Sequence, residues 1–154
     1  MNGEIGGFGL SIFLIASNTY PVGVTVEQFA DDADPFDFPD IKIADIAMGL
    51  NGDMLSWSKA APLLVNLAVV PESDDDTNLA VAFAANRVGK SKQSARDIWT
   101  MVGQYPSGAI VTLSAGRLTD GSISNSISSA ARMKSKVYKF AFQNITISRA
   151  GLTG

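Results

Sequence analysis

Over much of the chain, apolar and polar residues alternate with a period of two, the spacing that sets one face of a β-strand on a core and the other in solvent. Val22, Val24 and Val26 alternate with Gly23, Thr25 and Glu27. Leu63, Val65, Leu67 and Val69 face one way, and Leu64, Asn66, Ala68 and Val70 the other, which predicts a strand covered on both faces. The run from Leu10 to Ala16 reads as a buried strand and is too short to cross a bilayer. Further strands are expected at 97–102 and 110–115, joined around Pro106 and Gly108. Ile41 and Ile43 alternate with Lys42 and Ala44, and the phase then slips at Asp45–Ile46, as a bulge would make it. Tyr138, Phe140 and Phe142 form an aromatic face, after which Ile145 and Ile147 run out of phase and predict a second bulge near Gln143–Asn144. Bulged strands bend and twist, so the pattern calls for a curved sheet.

One segment has helical spacing instead. Leu79, Ala82 and Phe83 form a narrow apolar stripe. Ser73 suits the N-cap, and Asp74, Asp75 and Asp76 fill the first turn, where carboxylates favour the positive end of the dipole. With Arg87 in the last turn and Gly89 as a left-handed C-terminal cap, the helix is expected over 74–88. Residues 30–40, ADDADPFDFPD, read as a long acidic loop between two strands, and residues 89–96, GKSKQSAR, as a basic one. The Ser- and Ala-rich stretch 122–135 reads as an irregular strand or a flexible segment.

Length and composition fit one domain over residues 1–154, with a flexible glycine-rich arm at about 1–9 and the long loop at about 30–40. Hydrophobic residues make up 46% of the chain, enough for a real core. There is no cysteine, hence no disulfide framework, thiolate metal site or thiol nucleophile. Histidine is absent too, which removes the usual general base and the commonest metal ligand. The first nine residues carry Glu4 and no basic cluster, so no export signal is read there.

The formal net charge of −3 hides a division. Residues 1–76 hold 13 acidic and two basic side chains, whereas residues 77–154 hold two acidic and ten basic ones. Such asymmetry calls for a charged partner, and another copy of the same chain meets that need. The candidate acidic contacts are Asp31, Asp32, Asp34, Asp37 and Asp40, with Phe36 and Phe38 among them. Two phenylalanines on an acidic loop are costly to leave in water, so they are expected to insert into a neighbour; folding back onto their own sheet is the plainer alternative. The candidate basic contacts are Arg87, Lys90, Lys92, Arg96, Arg132, Lys134 and Lys136.

The short motifs carry no catalysis. Gly89-Lys90-Ser91 has Ala84 where a phosphate loop needs its first glycine, and it closes a helix instead of opening one. The glycines at 3, 6, 7 and 9 lack the dinucleotide-binding spacing. Ser56-x-x-Lys59 has no Lys-Thr-Gly partner and reads as exposed strand residues flanking Trp57. The Asp spacing of the acidic loop does not follow a calcium-binding order, and two prolines interrupt it. The basic residues suit a phosphate backbone, but no nucleic-acid fold motif accompanies them. The sequence therefore predicts no enzyme, no cofactor and no metal.

The layout as a whole resembles a known family. A glycine-rich arm leads into a strand, a strand pair joined by loop 30–40, another pair, one acidic-capped helix, and strands ending in VYKFAFQNITISR. This looks like a bacteriophage tail tube protein, the fold shared with the ring protein of type VI secretion systems. The resemblance implies a mostly β fold with one short helix, a β-sandwich or half-barrel that closes into a multi-subunit ring of six copies. It further implies stacked rings forming the tube through which DNA is ejected, with loop 30–40 reaching the adjacent ring and an acidic lumen that repels phosphate. The implied partners are the chain itself, sheath and baseplate proteins, and double-stranded DNA in transit, with no membrane. The implied location is the virion tail, assembled in the host cytoplasm. A secretion-system ring protein and a monomeric ligand-binding β-barrel are the alternatives.

Overall fold

The computed structural model describes residues 9–29, 35–125, 127, 129 and 133–148. Asp31, Asp32, Asp34, Arg132 and all of the N-terminal arm but Gly9 lie outside them. The described strands are β1 (Ser11–Ala16), β2 (Tyr20–Val26), β3 (Phe36–Asp37), β4 (Ala44–Met48), β5 (Met54–Ser58), β6 (Leu63–Val69), β7 (Trp99–Gln104), β8 (Ile110–Asp120), β9 (Lys136–Phe142) and β10 (Asn144–Ser148). The helix α1 (Asp74–Asn86) lies between β6 and β7. The main sheet runs β2-β1-β7-β8-β9-β6-β3, with β10 also on β8, and all its pairs are antiparallel.

The bend in this sheet lies at Ala115. Its positive φ of 56° breaks β8, so the buried positions change from Val111 and Leu113 to Gly116 beyond it. The partner strand changes phase at the same level: β9 ends at Phe142, Gln143 interrupts, and β10 sets Ile145 opposite Leu113. The irregularity expected near Gln143–Asn144 is therefore this break, matched across the sheet by Ala115. Farther along, Phe29 bridges to Val69 and the Val70 N–H donates to the Gln28 carbonyl, which brings the exit of β2 back to β6. The result is a curled, sandwich-like half-barrel that does not close on itself.

Period-two alternation delivers the core. Ile12 and Leu14, Val65 and Leu67, Trp99 and Met101, Val111 and Leu113, and Tyr138, Phe140 and Phe142 belong to one buried cluster. Trp99 meets Phe140 edge-on at 5.1 Å between ring centres. A Cβ on Gly116 would stand 2.2 Å from Phe142, so only glycine lets that ring lie across β8.

Several expectations change. The helix stops at Asn86, where Arg87 turns extended and donates its N–H to the Ala84 carbonyl. Gly89 is not among the left-handed glycines; it bridges to Lys92 through a turn in which Ser91 takes φ 60°. The Lys92 ammonium bonds the Arg87 carbonyl, doing at the negative helix end what a glycine cap was expected to do. No bulge occurs at Asp45–Ile46, because β4 begins only at Ala44 and runs in regular register from Ala44↔Ser58 to Met48↔Met54. The flanks of loop 30–40 do not pair with each other: β2 pairs with β1 and β4 with β5, while β3, inside the loop, pairs with β6.

Candidate assembly surfaces

The described part of the acidic loop is divided by its pairing to β6. Phe36, opposite Leu67, turns inward, 4.8 Å from the Phe38 ring and 6.0 Å from that of Tyr105, and its ring edge lies over Gly103. Phe36 takes the plainer alternative in this structure, half-buried and packed back against the core of its own sheet, where β3 pairing sets its side chain. Phe38 remains exposed, as does Asp40, while Asp37 is half-buried and accepts from the Asn66 amide at 3.4 Å.

The basic candidates also separate. Arg87, Lys90 and Arg96 stand exposed around one loop, pinned to the helix by the bond from the Ala95 N–H to the Ala85 carbonyl. Lys134 is exposed as well. Lys92 is half-buried at the helix end. Lys136 is not a surface contact: it is buried, 3.3 Å from the buried carboxylate of Asp76 and 5.8 Å from the centre of the Tyr138 ring. The physical cause is the strand phase, which turns Lys136 toward the core side together with Tyr138 and Phe140.

Part of the acidic surplus is likewise internal. Asp76 accepts from the Tyr138 hydroxyl at 2.8 Å and from the Glu72 N–H at 2.8 Å. Burial first, and then the bond to this carboxylate, push the Tyr138 phenol far above its ordinary value. Asp75 accepts from the Glu27 and Gln28 N–H groups, each at 2.7 Å, tying the helix start to the end of β2. Asp97 is fully buried and accepts from the Asn18 and Thr19 N–H groups, the Thr19 hydroxyl and the Asn86 amide. Burial alone pushes its pKa up, but these bonds outweigh it and hold the carboxyl below the usual range.

The most exposed apolar surface was missed by period reading. The β4–β5 hairpin pairs with no other described strand, and Ile46, Met48, Met54, Leu55 and Trp57 are 53% to 67% exposed, with Leu50 fully out at its tip. Its sequence signal was the density of large apolar residues flanking Asn51-Gly52, a hairpin turn. On the main sheet, Phe38, Tyr105, Val111, Ile145 and Ile147 line an apolar groove of about 510 Å³. A smaller groove of about 180 Å³ shares Phe38 and Ile145 and adds Ile41 and Leu64. Lone exposed apolar residues are ordinary, but a contiguous set on a projecting arm marks an interaction surface.

Among the described residues, no group of three or more His, Cys, Asp or Glu is placed to hold a metal ion. The family model for tail fiber protein gp32 matches residues 3–146. The chain belongs to the tail fiber protein gp32 family.

Solved structures with the fold of this gp32-family chain include the following three. One is a chain of the anti-feeding prophage tube-terminating cap, at 11% identity and a TM-score of 0.51, covering 97% of this chain and 94% of that one. Another is a chain of the sheath–tube complex of the extracellular contractile injection system PVC in its extended state, at 10% identity and a TM-score of 0.50, covering 97% and 95%. The third is from the anti-feeding prophage baseplate, at 8% identity and a TM-score of 0.52, covering 99% and 100%. No curated protein matches the sequence. At these identities the likeness is one of fold, and together with the gp32 family it supports a structural part of a phage-type tail.

Proposed function

We propose that the chain is a tail tube subunit: copies close into rings of six, the rings stack, and the tube passes double-stranded DNA during ejection. The observation that carries this reading is the β4–β5 hairpin, a projecting arm apolar on both faces on a fold also found in a contractile sheath–tube complex. An isolated two-stranded hairpin is marginal in water, so this one gains its order from a partner. The hairpin, in place of loop 30–40, then serves as the main reach to the next ring. Exposed Phe38 and Asp40, with the exposed cations Arg87, Lys90, Arg96 and Lys134, would flank subunit contacts. Sheath and baseplate proteins are the further partners, and the virion tail is the location. The interior of the half-barrel is filled by Trp99, Tyr138, Phe140 and Phe142, which weighs against a ligand-binding barrel.

A second reading has its own support, because one of the similar folds comes from a tube-terminating cap. Negative-stain electron microscopy of the purified protein separates the readings. Long uniform tubes with a central channel are expected. Isolated rings at every concentration would favour a terminator, slender rods without a channel a fibre, and dispersed particles would sink all three.

A further inference from the structure

We propose that Asn51, at the tip of the β4–β5 hairpin, is a site of self-modification: the Gly52 backbone nitrogen attacks its side-chain amide and leaves aspartate or isoaspartate. A single subunit suffices for this, whatever assembly it joins. The tip is a three-residue loop closed by Gly49 and Asp53, whose N–H and carbonyl meet at 2.7 Å, with Gly52 in the left-handed position at φ 91°. Among the described residues, Asn51 is the only asparagine followed by glycine, and it is exposed. Attack requires the following backbone nitrogen to reach the asparagine Cγ, an approach that glycine leaves unhindered. The tip is open here as well, since even an added Cβ on Gly52 would meet nothing within 4 Å.

The carboxamide is held at both of its reacting ends. The Asp53 N–H donates to Asn51 Oδ1 at 3.2 Å, where negative charge gathers once Cγ is attacked. Asn51 Nδ2 donates to the Asp53 carboxylate at 3.0 Å, and an anion there favours the positive charge that the departing amine gains. One bond opposes the reaction, from the Gly52 N–H to the Gly49 carbonyl at 3.0 Å, and it must open at an exposed tip. The chemistry balances without a cofactor. Solvent base takes the Gly52 amide proton, the nitrogen bonds to Cγ, and the Cγ–Nδ2 bond breaks as ammonia leaves with a proton from water. Water then opens the five-membered imide at either carbonyl. The product undoes the clasp that formed it. A second carboxylate faces that of Asp53, like charges replace a donor and an acceptor, and isoaspartate lengthens the turn backbone by a carbon. The tip that carries fully exposed Leu50 therefore changes once and does not revert.

Purified, dispersed protein kept in mildly alkaline buffer provides the test. Peptide mass spectrometry reads the conversion as a gain of about 1 Da at the Asn51 peptide, and water enriched in heavy oxygen labels the new carboxyl. Conversion in the folded protein is expected within about threefold of its rate in urea, because exposed tips open at little cost. Asn66 in β6 and Asn86, whose amide is held by Ala82 and Asp97, are expected to stay unchanged in the folded protein. No conversion at Asn51, or conversion slowed more than about tenfold by folding, would overturn the proposal. Asp53→Ala keeps the backbone donor and removes the carboxylate, so the folded variant should convert about threefold more slowly. An equal or faster rate in that variant would overturn the part given to the Asp53 side chain.

Discussion

Asp97 shows how one residue can fix a turn and set an acid limit on the fold. Its carboxylate gathers four hydrogen bonds from the β1–β2 turn and the end of α1. Asp97→Asn should lower stability by roughly 2 kcal/mol in urea unfolding, because charge-assisted bonds become neutral or mismatched. The pH dependence follows from the direction of the shift. A carboxyl whose folded pKa is depressed contributes fully above its unfolded value of about 3.9, and the contribution is lost as pH falls through the folded pKa. The Asn variant should therefore lose less stability on acidification than the unsubstituted protein; an equal acid loss in both would deny Asp97 this role. Lys136 gives a second residue-scale test. Replacing it by Met leaves Asp76 buried without its cation and should cost about 3 kcal/mol in the dispersed protein. Unchanged unfolding with lost assembly would instead return Lys136 to a contact role.

At the scale of elements, the break in β8 decides the curvature. Ala115 adopts a left-handed conformation that strains any residue with a Cβ. Ala115→Gly should thus raise stability by about 1 kcal/mol in thermal unfolding, while no gain would mean that the surroundings relieve the strain. The same break explains why Ile145 and Ile147 escape the core. They follow the core side of the sheet past its edge and line an open groove. Their phase was legible in the sequence, but the destination of that phase was not, since it depends on where β8 ends its own cover.

For the whole molecule, the charge division survives after the internal charges are set aside. Among the described residues, Asp40, Asp53, Glu72 and Asp74 stand exposed against Lys42 and Lys59 in the acidic half, and Arg87, Lys90, Arg96, Arg117, Lys134 and Lys139 against Asp120 in the basic half. If unlike halves of neighbouring copies meet, assembly followed by light scattering should slow as ionic strength rises from about 0.01 M to about 1 M, where the screening length falls from about 30 Å to about 3 Å. Assembly that is unchanged or faster at high salt would assign the contact to the apolar hairpin and grooves alone.

The sequence by itself determined most strands of the main sheet, the helix start at Ser73 and the aromatic face of β9, because each follows from local period or capping and needs no knowledge of neighbours; β3 and the β4–β5 hairpin did not follow from period. It also determined the lack of cysteine and histidine and the charge division. Tertiary structure alone decided which charges stay on the surface. Asp75, Asp76, Asp97 and Lys136 read as solvated groups by type, yet each finds its partners across long sequence separations and is buried by them. Phe36 and the hairpin show the same division in reverse. Apolar residues on β3 and on β4–β5 look alike along the chain, and only the pairing of β3 with β6, with β4–β5 left on its own, sends one inward and leaves the other exposed.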